Sequence, residues 1–357
     1  MTTRATTGPV AVGLVIMWSS GFVGARLGTL DAGAETLLAW RYLVVGAVVA
    51  AVLAVRRPRL GRQELTRQAV LGLLSQVGYL TGVVTGVALG VPAGVAALIA
   101  VLQPLVVGAL AGPVLGRPVR ARQWAGLVVG LASVTVVVAG DLGGGGNAAG
   151  YLLVFGGMLA LSAGTLLERR WRSPTPFVDA LAVQCLVACV VFVTAAGATG
   201  GLLPPTTSTF WWAVVWVVVL STFGGYGSYL LAARLLGATG VSTLLFLTPP
   251  TTLLWAFAMF AEPIGWTTLT GLLGCGISVW LVLGRGPRGR RPAVPSDRPA
   301  VQSDGSGVDA SAVTSWPVGT SLSWSYSSGS TSTSTSRSGG SGVPGERGGS
   351  RVSGVSP

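Results

Sequence analysis

The chain has 357 residues, a net charge of +12, 50% hydrophobic and only 10% charged residues, with a mean hydropathy of +0.68. A soluble domain carries about 25% charged residues, so an ordinary globular protein is excluded. The basic residues are all Arg, they sit in short clusters between apolar runs, and no aromatic platform interleaves with them, which argues against a nucleic-acid partner.

A helix rising 1.5 Å per residue needs about 20 apolar residues to cross a bilayer core. Ten stretches have that length, and they are read here as spans 1 to 10 of an all-α integral membrane protein. Span 1 covers 10–29 and carries Trp18 and, near its end, Arg26. Span 2, at 35–55, holds Arg41 six residues in. Span 3, at 68–88, contains Tyr79 and a stripe of Gly78, Gly82, Gly86 and Gly90, a spacing that lets helices approach closely.

Span 4, at 92–115, is interrupted near its middle by Gln103-Pro104, and span 5 follows at 121–140. The Gly run at 143–146 lacks the strand and the Lys-Ser/Thr of a phosphate cradle and reads as a turn. Spans 6, 7 and 8 lie at 149–167, 177–198 and 210–232. Cys185, Cys189 and Cys275 fall in apolar runs as small fillers. No metal site, cofactor motif or catalytic constellation is expected. Span 9, at 238–260, carries Thr248 followed by Pro249 and Pro250, and span 10 ends at 284. Residues 285–357 are rich in Ser, Gly and Arg and read as a disordered tail.

Arginine placement orients the spans. Seventeen arginines, from Arg4 through Arg56, Arg67, Arg122, Arg170 and Arg234 to Arg291, fall on alternate connections; the other connections have none and carry Asp31, Glu35, Asp141 and Glu262. The positive-inside rule then puts both termini in the cytoplasm.

Sliding the chain by 145 positions lays Pro104 on Pro249, Gln103 on Thr248, Gly126 on Gly271 and Ser133 on Ser278. The chain is thus two five-span repeats, 1–145 and 146–284. Five is odd, so the second repeat enters the membrane inverted, a plan of secondary transporters with a site near the midplane. Helices broken at matching places point to that site. Pro104, Pro249 and Pro250 are accordingly the expected helix breaks. Gln103 and Thr248 are expected to line a cavity with Arg41, Tyr79 and Trp18, and Arg26 is a further candidate. A buried arginine with few acids nearby suits a ligand bearing a carboxylate or phosphate.

The pieces "MWSSGFVGARLG", "LLAWRYLVVGAVVA", "AALIAVLQPLVVGALAGPVLGRPVRARQWAGLVVGLASV" and "STLLFLTPPTTLLWAFAMFAEPIGWTTLTGLLGCGISV" resemble the EamA-type branch of the drug/metabolite transporter superfamily. The resemblance covers residues 10–284 and implies a multi-pass carrier of small metabolites such as amino acids, with a central cavity between halves. Many relatives carry an acid where this chain has Arg117. The expected function is export of amino acids or related anions across the cytoplasmic membrane by alternating access. Broad drug efflux is the alternative, and a non-transporting scaffold that recruits partners through the tail is a third reading. A small-molecule substrate and the bilayer are the expected partners. A coupling proton stays open, with Glu168 as the acid, because no carboxylate falls at mid-depth. Oligomeric state is open as well.

Overall fold

A computed structural model describes residues 2–116, 121–143 and 147–283. The expected tail at 285–357, the Arg117 corner and most of the glycine run lie outside these residues. Helices account for nearly all of the described chain, and no strand occurs among the described residues. The spans run Thr2–Gly28, Ala34–Arg56, Arg62–Ala88, Ala93–Val114, Ala121–Gly143, Ala148–Trp171, Phe177–Thr199, Ser208–Gly237, Gly240–Phe260 and Trp266–Leu283. Among the described residues the first nine are long and apolar enough to cross a membrane; the last, with 18 described residues or about 27 Å of helix, is a shorter apolar helix that stands as the tenth.

The packing carries the repeat. Span 1 packs on span 8, span 3 on span 6, span 1 on span 9 and span 4 on span 6; spans 2 and 7, 4 and 9, and 5 and 10 also pair. Exchanging spans 1–5 with 6–10 carries each of these pairs onto another pair or onto itself. The halves are therefore related by a two-fold exchange, which an odd span count makes an inverted one.

Four spans depart from regular α-helix, again at matching places. Spans 4 and 9 break after Ala100 and Leu245, and their second halves begin at Gln103 and Thr248. Pro104 and Pro249 occupy the opening positions of those halves, where no backbone donor is needed. Tightened i→i−3 bonds bridge each gap, from Leu102 N to the Ile99 carbonyl (3.1 Å) and from Leu247 N to the Leu244 carbonyl (2.9 Å). Spans 3 and 8 instead widen into π turns at Leu73–Gly78 and Val217–Gly224. Such turns recur at functional sites because they redirect side chains.

The glycine stripe of span 3 is a packing surface. A Cβ on Gly82 would run into the Leu153 carbonyl of span 6, and one on Gly86 would lie 2.8 Å from the Gly150 carbonyl. Outward-facing residues such as Leu152, Val190, Leu254, Leu273 and Trp280 are exposed, as a lipid-facing surface requires. Polar side chains turn inward: Ser19, Ser20, Arg41, Gln76, Thr222, Thr248 and Thr252 are all buried.

Candidate functional site

The central cavity lies between spans 1, 2, 3 and 8. Its walls are Trp18, Gly21, Phe22, Arg41, Gln76, Tyr79, Leu80, Val83, Val84, Ser221 and Tyr226, and it leaves about 60 Å³ for water-sized molecules. One water needs roughly 10–15 Å³ on that measure, so the space holds several waters or one small organic group.

Arg41 is the cavity's charge. It stands seven residues into span 2 and is 5% exposed, about 10 Å from the start of its helix, too deep to reach the interface easily. Its Nε donates to Thr222 Oγ1 at 3.2 Å and its Nη2 to Ser221 Oγ at 3.3 Å. Its Cζ lies 5.7 Å from the centre of the Tyr42 ring. The π turn of span 8 explains how Thr222 serves. Its hydroxyl donates to the Val217 carbonyl five residues back, at 2.9 Å. The oxygen's lone pairs are thereby left for the guanidinium.

The π turn of span 3 supplies a second chain. Tyr42 donates from its hydroxyl to Gln76 Oε1 at 2.7 Å, and Gln76 Nε2 donates to the Tyr226 hydroxyl oxygen at 2.7 Å. Gly21 keeps the neighbouring space open, since a Cβ there would sit 2.8 Å from Ser221 Oγ. An aromatic series leads from the cavity toward the end of the bundle where spans 6 and 7 join. It runs from Tyr226 to Trp18 (6.1 Å), Trp18 to Tyr229 (5.7 Å) and Tyr229 to Phe177 (6.3 Å).

Among the described residues no carboxylate lines the cavity. Among the described residues the ion pairs are Arg26–Glu262 (3.8 Å), Arg56–Asp179 (2.7 Å) and Arg67–Glu64 (3.5 Å), all at span ends and none involving Arg41. Glu262, in the 9–10 connection, also accepts the Ala93 N–H at 3.1 Å. Burial pushes its carboxyl above the ordinary value, against the pull of that N–H and of Arg26. No described cluster of three His, Cys, Asp or Glu is placed to hold a metal.

Of the residues expected from sequence, the structure brings Trp18, Arg41 and Tyr79 together around this space. Gln103 lies elsewhere, donating to Thr165 Oγ1 of span 6 at 3.0 Å. Thr248 packs against span 1, where Ser19 Oγ donates to its carbonyl at 3.4 Å; its own hydroxyl is buried without a partner. Arg26 is held at the bundle end by Glu262. Pro104, Pro249 and Pro250 open half-helices, and none of them lines the space around Arg41; Pro249 borders a separate small gap with Gly94, Leu98 and Leu253. The proline breaks, expected to line a central cavity, are not among the residues that line this space. The breaks close on neighbouring helices, and the water-sized space opens at the π turns instead. Gln76, Ser221, Thr222 and Tyr226 are the groups sequence reasoning missed. Their signal was polar residues inside the apolar runs "LLSQVGYL" and "VVVLSTFGGYGSYL", one in each half.

The model of the EamA-like transporter family matches residues 9–139 and again 148–284. No curated protein matches the chain. A solved structure titled "Crystal structure of protein" is similar with a TM-score of 0.54 and 19% identity, covering 78% of this chain and 96% of its own. That likeness concerns the fold alone.

Proposed function

Because the chain belongs to the EamA-like transporter family, a family of multi-pass membrane transporters, we propose that it exports small carboxylate-bearing metabolites by alternating access, with Arg41 as the anion grip. The observation that carries this reading is a buried guanidinium held only by neutral groups. A planar guanidinium binds a carboxylate through two parallel hydrogen bonds. Trp18, Phe22, Tyr79 and Tyr226 would shelter the ligand's apolar body, while Gln76 and Ser221 would meet its remaining polar atoms.

In this reading residues 1–145 and 146–284 are the two moving halves, and the cytoplasmic membrane is the site of action. Both termini face the cytoplasm. The contacts support that orientation: Arg56 reaches Asp179, Arg67 lies 6.0 Å from the Trp171 ring, and Arg170 reaches the Val114 carbonyl, so the basic connections cluster. Asp31 and Glu262 make their contacts among the opposite connections, with Thr207 and Ala93. Efflux of lipophilic cations fits less well, since Arg41 would repel them.

The experiment compares metabolite release from cells overexpressing the chain with cells lacking it, and then with Arg41→Gln. Truncating one partner of a buried charged pair costs about 2–5 kcal/mol, so export should fall by at least about 30-fold, with membrane abundance unchanged. Wild-type export by Arg41→Gln would remove the grip from the mechanism.

A further inference from the structure

Resting on the reading of Arg41 as the anion grip, we infer that this carrier is an exchanger of organic mono-anions: it changes face with a carboxylate bound and stalls with the cavity empty. The argument is one of charge. Arg41 is buried, its Nε and Nη2 donate to Thr222 and Ser221, and the Tyr42 ring lies beside it. None of these offers a negative charge. The carboxylates among the described residues are Asp31, Glu35, Glu64, Asp141, Glu168, Asp179 and Glu262. All of them lie in connections or within about one turn of a span end, and none lines the cavity.

Alternating access takes the cavity through a state closed to both sides. In that state the empty carrier would hold a guanidinium stripped of bulk water, with a few trapped waters at most and no counter-charge, which is strongly unfavourable. A bound carboxylate neutralises it and supplies charge-assisted hydrogen bonds. The loaded carrier therefore crosses and the empty one does not.

Two corollaries sharpen the ligand class. A zwitterion leaves the closed cavity with its net charge of one and brings an ammonium for which no acid is provided. A mono-anion with an apolar body leaves the cavity neutral. Proton coupling at the cavity has no vehicle either among the described residues, since the chain contains no His, no described carboxylate lines the space, and arginine does not deprotonate in proteins. The driving force is then the gradient of a second anion.

The test uses the purified full chain in liposomes and four labelled probes: acetate, pyruvate, phenylpyruvate and 4-methyl-2-oxopentanoate. The last has leucine's side chain and carboxylate, with a keto oxygen in place of the ammonium. Vesicles contain either Tris sulfate alone or, in addition, the unlabelled probe or leucine. The unlabelled oxo acid inside should speed initial uptake of its labelled form by about tenfold or more, and leucine inside should do so far less. A potassium diffusion potential should leave the exchange rate unchanged, because the loaded carrier is neutral at the cavity. Uptake that is as fast into sulfate-only vesicles, or that an inside-positive potential accelerates there, overturns exchange while leaving the Arg41 grip standing. Equal stimulation by leucine and the oxo acid overturns the mono-anion class. Absence of saturable uptake of any probe in every vesicle, or wild-type exchange by Arg41→Gln, overturns the grip and the exchange together.

Discussion

At the level of single residues, the cavity is organised around one guanidinium and the hydroxyls that aim it. In the proposed mechanism Thr222 positions Arg41: its proton is committed to the Val217 carbonyl, so its oxygen accepts from Arg41 Nε. Thr222→Val keeps the shape and removes the acceptor. A hydrogen bond to a charged group contributes about 1.5–3 kcal/mol, so the KM for a transported carboxylate should rise at least about tenfold while the maximal rate and membrane abundance hold. An unchanged KM would show that Arg41 needs no support from span 8. Arg41 itself was visible in the sequence as a charge within an apolar run. Its partners were not, since Ser221 and Thr222 lie about 180 positions away and look like ordinary small residues of a membrane helix. Only the fold brings a π turn of span 8 against the middle of span 2.

At the level of helices, two kinds of irregularity divide the work. The proline breaks of spans 4 and 9 satisfy their backbones with tightened turns and pack against spans 6 and 1. The π turns of spans 3 and 8 push polar side chains into the cavity. Prolines announce themselves in a sequence because they lack a donor. A π turn has no comparable residue signature, since it arises when packing favours one extra residue per turn. That difference is why the breaks were legible and the cavity-forming turns were not. The glycines of span 3 show the reverse case, where a local pattern reported a tertiary contact. Gly82 meets span 6 backbone, whereas a Cβ on Gly227 in span 8 would meet nothing within 4 Å. Gly82→Leu should therefore destabilise the protein by about 1–3 kcal/mol, seen as a lower melting temperature in detergent. Gly227→Leu should leave the melting temperature close to wild type, and equal losses at both positions would contradict the packing described for span 3.

At the level of the whole molecule, ten spans close into two halves whose contacts exchange with one another. The proposed orientation makes a direct demand. Single cysteines placed in the 56–62 and 171–177 connections, in a background lacking Cys185, Cys189 and Cys275, should both resist a membrane-impermeant maleimide in intact cells. Cysteines at 31 and 203 should both react. A split result within either pair would contradict the inverted repeat, and a swapped result would contradict only the placement of the termini.

The number of spans, their repetition, the alternation of arginines and the places where spans 4 and 9 break were all determined by the sequence alone. These depend on apolar length, on charge against a bilayer and on proline's missing donor, each of which acts within a few residues of its cause. The position and lining of the cavity were decided by tertiary structure. They depend on which faces of spans 1, 2, 3 and 8 meet, on the turns that widen there, and on the absence of any described carboxylate beside Arg41. No stretch of chain contains that absence; it exists only once the helices are packed.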